Sequence, residues 1–275
     1  MRKLIPILLV VILLSAFKPT HGISTVKPKA ADTNSLVNAG KVWAALYQQR
    51  AAEYKALCFQ AYNIAKQRID EAVKKQSDKP LAVVTDIDET LLDNSPYNAE
   101  RAVRNLDFDS KTWKEWTAKA VADTVPGAPS FFKYAASKGV KVFYITNRDE
   151  DESTATLKNL QLYHLPDVDN EHLLLKQKAS SKEDRRKQVL SKYNIVLLCG
   201  DNLPDFDALY DNQPSEENRI AATEKLRKKF GSQYIVIPNP SYGDFENALF
   251  KFNYKLTPAQ KDSIIKSLLK INPNL

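Results

Sequence analysis

Five apolar runs separated by amphipathic stretches set the strongest constraint on how this chain can fold. The runs are LAVVTD (81–86), VKVFYIT (140–146), LLLK (173–176), IVLLCGD (195–201) and YIVIP (234–238). Uninterrupted apolar strands that alternate with helices are typical of a parallel sheet covered on both faces. We therefore predict an α/β fold with a doubly wound parallel sheet in residues 80–275.

An added helical region is predicted before this sheet, after a linker, within residues 23–79. A long helical pattern begins after about Asn34, and its apolar side chains recur at spacings of three and four from Tyr54 to Val73. This pattern indicates one amphipathic helix, or two helices broken near Gly40. We expect the helix to end in QSDKP, because Pro80 blocks its continuation. A helical insertion near residues 98–122 and helices at the C-terminus are also predicted.

The first residues have the pattern of a secretory signal. Arg2 and Lys3 precede an apolar run from Leu4 to Leu14, which is shorter than the roughly 20 residues of a membrane span. We predict a signal peptide in residues 1–22 and export to the periplasm, the cell surface or the medium, with an uncleaved anchor as the alternative. No cysteine directly follows the run as a lipid acceptor, so no stable membrane anchor is expected.

Composition limits the classes of partner that the chain can bind and bears on whether its two cysteines are free. The formal net charge is +7, with cations spread along the chain among Asp and Glu. A nucleic-acid-binding protein concentrates its cations on one stripe, so we predict no nucleic-acid partner and a surface that attracts small anions. Cys58 and Cys199 lie in apolar patterns, and we predict two buried free thiols rather than the disulfide that export would permit.

Polar clusters end three of the predicted strands: TDIDET, TNRDED and GDNLPDFD. Ligands of such sheets bind beyond the carboxyl ends of the strands, so these clusters are expected to meet. Asp86 and Asp88 can converge on one phosphoryl group, with Asp86 as nucleophile and Asp88 as general acid and base. A carboxylate attacks phosphorus only when a divalent cation removes the charge repulsion.

A calcium loop and a solvated turn are the alternatives for this acidic segment. An EF-hand loop needs glycine at its sixth position and glutamate at its twelfth. Leu91 and Tyr97 occupy these positions, so the calcium loop is excluded and the solvated turn stays open.

The later clusters supply candidate phosphate contacts. Thr146 and Asn147 follow the second strand, and a threonine hydroxyl can donate to a phosphoryl oxygen without adding negative charge. Arg148 is a surface cation, a phosphate contact or a structural residue. In KQKASSKEDRRKQ, Ser180 and Ser181 resemble N-cap residues.

This capping pattern predicts Lys182 in the first turn of a helix, where its charge reinforces an anion site. Lys178 is the second candidate, and a charged helix face is the alternative. Asp201, at a strand end, suits Mg²⁺, which binds few protein carboxylates and keeps waters. Asp205 is expected to hold a metal-bound water or to orient Lys182, unless it only begins a helix.

Several longer motifs occur in one order: EYKALCFQAYNIAK, DIDETLLDNSPY, TW at 112–113, VPGA at 125–128, VFYITNR, KASSKEDRR, GDNLPDF and IPNPSYGDFE. With these motifs the sequence resembles the bacterial class C acid phosphatases, the family of the 5'-nucleotidase lipoprotein e(P4), within the haloacid-dehalogenase superfamily. The likeness covers nearly all of the chain after the signal segment. The absent lipid-acceptor cysteine is a departure from the family that bears on anchoring and leaves the chemistry unaffected.

The resemblance implies a Mg²⁺-dependent acid phosphatase that acts on small phosphomonoesters, including nucleoside 5'-monophosphates and aryl phosphates. The resemblance implies that Asp86 is the nucleophile and Asp88 the acid and base, and that Thr146 and Lys182 contact the phosphate. Mg²⁺ would be held by Asp86, the Asp88 carbonyl and Asp201, with Asp205 close by. A homodimer is also implied. A phosphotransferase using the same residues and a non-catalytic phosphate- or nucleotide-binding protein stay open as alternatives.

Two aromatic residues are candidates for gripping the rest of the substrate. Trp113 lies in SKTWKEWTAK and Tyr242 in NPSYGDFE, and both segments leave the carboxyl-end side of the predicted sheet. The resemblance implies that the two rings sandwich a planar base or aryl group, and such stacking tolerates any base. The alternative is that Trp113 packs with Trp116 and Tyr242 covers the edge of the core.

Overall fold

The structure, a computed structural model, describes residues 35–211 and 215–272. Within these ranges the helices are α1 (Leu36–Arg50), α2 (Ala52–Ala72), α3 (Ser95–Val103), α4 (Ser110–Thr117), α5 (Ala128–Ser137), α6 (Ser153–Leu162), α7 (Glu183–Lys192), α8 (Glu216–Leu226), α9 (Asp244–Leu249) and α10 (Pro258–Leu268). The strands are β1 (Leu81–Thr85), β2 (Leu92–Asp93), β3 (Asp123–Thr124), β4 (Lys141–Asp149), β5 (Leu173–Lys176), β6 (Asn194–Gly200) and β7 (Tyr234–Val236).

Five of these strands form one sheet in the order β5-β4-β1-β6-β7. Every neighbouring pair in this sheet is parallel, whereas β2 and β3 form a separate antiparallel pair. Helices α2, α5 and α6 contribute to the core on one face, and α7 and α8 to the core on the other. The predicted doubly wound α/β fold is confirmed.

The strands are apolar throughout because both faces of the sheet are buried. In β1, Val83 packs into the core that contains α2 and α5, whereas Ala82 and Val84 pack into the core on the opposite face. In β6, Cys199 and Leu198 divide between the two faces in the same way. Strand β1 is also the middle strand of the five, so its carboxyl end lies at the middle of the sheet edge.

The leading helical region breaks at Ala51, so the predicted break near Gly40 was wrong. Ala51 has extended backbone angles of φ −78° and ψ 128° and packs partly against the core. Gly40 lies inside α1. Helix α2 also ends earlier than QSDKP, at Ala72, because Ile69 is the last buried residue of its apolar stripe.

Strand β4 continues three residues beyond its predicted end, to Asp149, after a register irregularity against β5. Thr146 and Asn147 therefore lie within the strand. Cys58 and Cys199 are both buried and free, as predicted. Among the described residues, no helix has the length and apolar character that crossing a membrane requires. Residues 1–22, the predicted signal peptide, lie outside the described residues.

Candidate active site

The chain turns sharply after β1, which places Asp86 and Asp88 at the carboxyl edge of the sheet. The Asp86 N–H donates to the Cys199 carbonyl of β6 at 2.9 Å, which extends the pairing by one residue. Glu89 then adopts a left-handed φ of 55°, and its N–H donates to the Leu92 carbonyl at 2.8 Å. This tight turn holds Asp86 beside the end of β6, with Asp88 two residues further along the turn.

Lys182 joins Asp86 to Asp205 in a buried ion-pair chain. Its Nζ lies 2.6 Å from Asp86 Oδ1 and 2.6 Å from Asp205 Oδ1. Burial acts to lower the pKa of the Lys182 ammonium, but the carboxylates of Asp205 and Asp86 outweigh it and raise that pKa. Lys182 is thus held as a cation. Asp205 was expected to hold a metal-bound water or to orient Lys182, and its contact with Lys182 corresponds to the second role.

The local backbone around Lys182 differs from the prediction. Helix α7 begins at Glu183, so Lys182 occupies the N-cap position rather than the first turn. The Ser181 hydroxyl accepts from the Glu183 N–H at 3.2 Å and donates to Asp211 at 2.6 Å. Lys178, the second candidate, is exposed on the preceding segment and contributes nothing to this ion-pair chain.

Asp201 begins the loop after β6 and faces the same cluster. Its Oδ1 accepts from the Thr90 hydroxyl at 2.9 Å, and its Oδ2 accepts from Asn239 Nδ2 at 2.9 Å. Carboxylate oxygens of Asp86, Asp201 and Asp205 lie within 4.8 Å of one another. Burial, followed by the negative charge of Asp205, raises the pKa of Asp201 to about 7.

This cluster fits a hard divalent cation. It offers oxygen ligands only, as Mg²⁺ and Ca²⁺ prefer. Within the described residues, Lys182 is the one cation that forms an ion pair in this cluster, and it contacts Asp86 and Asp205 but not Asp201. The shortage of positive charge agrees with the raised pKa of Asp201, and a bound cation would relieve it.

The approach of Asp205 requires a glycine at the end of β6. A Cβ atom built on Gly200 would lie 2.5 Å from both Cβ and Oδ2 of Asp205. Asp205 is fixed there because its Oδ2 accepts from the Asn202 N–H at 3.0 Å. The sequence GDNLPD thus places two carboxylates on one side of the strand end.

Asp88 has a different partner from Asp86. Its Oδ1 accepts from Arg148 Nη2 at 2.8 Å and from Asn94 Nδ2 at 2.9 Å. Arg148 is 2% exposed, and its Nη1 donates to Thr156 at 3.1 Å. The interpretation of Arg148 as a surface cation was therefore wrong, because the strand that carries it turns the side chain inward onto Asp88.

Thr146 and Asn147 are held by Arg185 of α7. Arg185 Nη1 donates to the Thr146 carbonyl, and Nη2 donates to Asn147 Oδ1 at 2.7 Å. Nη2 also donates to the carbonyls of Ser180 and Ser181 at 3.2 and 3.1 Å. One buried guanidinium thereby fastens the end of β4 to the segment that precedes Lys182.

The two candidate stacking rings have different surroundings. Trp113 is half-buried and packs edge-on against Tyr97, with ring centroids 5.3 Å apart, and the Arg148 guanidinium lies 5.9 Å from its ring. Trp116 instead donates its indole N–H to Asn94 Oδ1 at 2.8 Å. Tyr242 is half-buried, and its hydroxyl donates to Glu89. Both rings thus contact residues that adjoin or bind Asp88.

Sequence analysis missed several supporting residues, namely Glu89, Asn94, Arg185 and Asn239. Glu89 and Asn94 lie within DIDETLLDN, so their place beside the carboxylates was a usable signal. Arg185 and Asn239 are separated in sequence from the groups they hold by 38 residues each. Only the folded sheet brings them together.

Comparison with known proteins agrees with this geometry. The model of the HAD superfamily, subfamily IIIB (acid phosphatase), matches residues 18–245. Two structures of the class C acid phosphatase from Bacillus anthracis, one with tungstate bound, are similar to this chain with a TM-score of 0.82 and 40% identity. The match covers 86% of this chain and 99% of each of those chains.

Two plant proteins match more locally. Acid phosphatase 1 of Solanum lycopersicum is 30% identical over 131 residues, 44% of this chain, and the stem 31 kDa glycoprotein of Glycine max is 27% identical over 125 residues, 43% of this chain. The matches cover 50% and 49% of these relatives, so the chain spans about half of their length. The family model, in contrast, matches well over half of this chain. The chain therefore belongs to the HAD superfamily, subfamily IIIB, the acid phosphatases.

Proposed function

We propose that this chain is a Mg²⁺-dependent phosphatase that hydrolyses phosphomonoesters through an aspartyl-phosphate formed on Asp86. One observation carries the proposal: Asp86, Asp201 and Asp205 converge at the carboxyl edge of the sheet with Lys182 2.6 Å from Asp86 and Asp205. Family membership and the similarity to a class C acid phosphatase support it.

In the first step a carboxylate oxygen of Asp86 attacks phosphorus. A bond forms between Asp86 and phosphorus, and the bond between phosphorus and the ester oxygen breaks. The ester oxygen keeps the electron pair and takes a proton from Asp88. Arg148 and Asn94 hold the Asp88 carboxyl group in place, two residues along the turn from Asp86.

In the second step Asp88 acts as a base. Its carboxylate takes a proton from water, whose oxygen attacks phosphorus as the bond to Asp86 breaks. Free phosphate leaves, and Asp86 is regenerated as a carboxylate. The proton that Asp88 gives in the first step is thus recovered in the second.

The residues for binding the phosphoryl group are Thr146, Asn147 and Lys182. The Thr146 hydroxyl oxygen accepts from the Arg148 N–H at 3.2 Å, which leaves the hydroxyl proton for a phosphoryl oxygen. Arg185 binds Asn147 Oδ1, which leaves the amide N–H groups as donors. The Bacillus anthracis protein is described with tungstate bound, and tungstate is a tetrahedral oxyanion like phosphate.

Asp86, the Asp88 carbonyl and Asp201 would hold Mg²⁺, with Asp205 close by. A bound divalent cation would neutralise charge on the phosphoryl oxygens and so lower the repulsion that Asp86 meets. We further propose nucleoside 5'-monophosphates and aryl phosphates as substrates, with Trp113 and Tyr242 stacking on the planar group. Export, the lack of a stable anchor and a homodimer remain predictions from the sequence and its resemblance.

The test is the Asp86→Asn variant, assayed with an aryl phosphate in Mg²⁺. The amide is a poor nucleophile, so kcat should fall by at least about 10³-fold, while the melting temperature shows that the protein is folded. Asp184→Asn is the matched control, since the Asp184 side chain is 96% exposed on α7, and its activity should equal that of the wild type. Full activity of Asp86→Asn would contradict the mechanism.

A further inference from the structure

Glu89 is a buried acid with no part in the chemistry above. It directly follows Asp88, and its side chain is fully enclosed, with 0% exposure. Its Oε1 accepts from the Asn94 N–H at 3.1 Å and from Asn98 Nδ2 at 3.2 Å. Its Oε2 accepts from Asn94 Nδ2 at 3.4 Å and from the Tyr242 hydroxyl.

These contacts use the full acceptor capacity of a carboxylate, which is about four hydrogen bonds. The backbone of Glu89 is left-handed, with φ 55°, a conformation that costs free energy in any residue other than glycine. The strained turn aims the side chain inward, and four donors hold it there. The Glu89 side chain is therefore held in one position, next to Asp88 in the chain.

Two hydrogen bonds hold Tyr242, one from its hydroxyl and one from its backbone N–H, and each connects it to a residue of the active site or next to it. Its hydroxyl donates to Glu89. Its backbone N–H donates to Asn239 Oδ1 at 3.4 Å, while Asn239 Nδ2 donates to Asp201 at 2.9 Å. The short loop after β7 thus spans from Asp201 to the residue that follows Asp88, and the ring of Tyr242 lies at the end of this span.

We propose that Glu89 is a positioning residue that sets substrate preference by fixing the ring of Tyr242 against the active site. The inference rests on the proposed function, and it names the group that makes this ring a rigid stacking surface. A ring without its hydroxyl contact must be ordered when the substrate binds, which weakens binding of a planar group. A small aliphatic phosphate ester has no planar group to stack, so it depends less on the order of the ring.

The test compares two substrates in the Tyr242→Phe variant, which keeps the ring and removes the hydroxyl. The readout is kcat/KM for a nucleoside 5'-monophosphate divided by kcat/KM for a small aliphatic phosphate ester. We expect this ratio to fall by about 3- to 10-fold, mainly through a higher KM for the nucleotide. Tyr210→Phe is the matched control, because the Tyr210 hydroxyl bonds to Thr223 at 3.1 Å in the core on the α7 and α8 face of the sheet. Its ratio should stay within about 2-fold of the wild type.

A double-mutant cycle assigns the effect to Glu89. Glu89→Gln should lower the same ratio, and combining it with Tyr242→Phe should lower the ratio by less than the product of the two single effects. An unchanged ratio in Tyr242→Phe, equal losses on both substrates, or multiplicative effects in the cycle would overturn the inference while leaving the phosphatase proposal intact. A wild-type protein that hydrolyses neither substrate would instead refute the proposed function and, with it, this inference.

Discussion

Two groups of three acids lie near the carboxyl edge of the sheet, and they differ in burial and in compensating charge. In each group, carboxylate oxygens approach within 4.8 Å of one another. The first, Asp86, Asp201 and Asp205, follows β1 and β6; the second, Asp149, Asp151 and Glu152, begins at the last residue of β4. Proximity of acids is thus common to both groups and cannot by itself identify the active site.

In the second group, Asp149 and Asp151 are neutralised at the surface, whereas Glu152 is buried and accepts from the Thr117 hydroxyl and the Asp149 N–H, both at 2.8 Å. Lys114 lies 3.0 Å from Asp149 and 2.8 Å from Asp151, and Lys176 lies 2.6 Å from Asp149. The Asp149 and Asp151 side chains are 39% and 65% exposed, whereas those of Asp86 and Asp205 are 12% and 6% exposed.

The cavity of about 550 Å³ beside the second group is lined by both signs of charge and does not include Asp86 or Asp88. Burial with too little positive charge therefore distinguishes the candidate active site better than cavity size does.

The largest difference between the groups is expected when one lysine is removed from each. Lys182→Met leaves the buried carboxylates of Asp86 and Asp205 without their cation, so the free energy of unfolding should fall by about 3–5 kcal/mol in EDTA. Lys176→Met removes an exposed ion pair and should cost less than about 1 kcal/mol. Urea denaturation of both variants measures these changes, and equal losses would remove the energetic distinction between the groups.

A smaller effect is expected from Gly200→Ala, which crowds the first group without changing its charge. The new methyl group would push Asp205 away, because it would lie 2.5 Å from the Asp205 side chain. We expect a loss of about 1–3 kcal/mol in unfolding free energy and a lower kcat on an aryl phosphate. Gly40→Ala is the control, since nothing lies within 4 Å of a Cβ there and Gly40 is inside α1. It should not destabilise the protein, and equal behaviour of the two variants would show that Asp205 tolerates displacement.

The sequence was sufficient to predict the first group, because strand endings are encoded locally. Apolar runs that stop at Asp86 and Asp201 place both residues at the same edge of a parallel sheet. The position of Lys182 was predicted only approximately, in the first turn of a helix, because its N-cap position depends on where α7 begins. The predicted roles of these residues await the experiments above.

Other features depend on contacts that no local pattern specifies. Arg148 looks like a surface cation in sequence, and its burial against Asp88 follows from the path of β4 across the edge of the sheet. The break at Ala51 likewise reflects packing against the core rather than helix propensity, which would have favoured Gly40. Tertiary structure decides both cases.

Calorimetric titration of the purified protein with Mg²⁺ tests most directly the claim that the first group, and not the second, is the metal-dependent active site. The wild type should bind one ion. Asp201→Asn should lose this binding because it removes one of the three clustered carboxylates, whereas Asp151→Asn should retain it because Asp151 is exposed and paired with Lys114. Binding that survives Asp201→Asn, or that disappears in Asp151→Asn, would contradict the account.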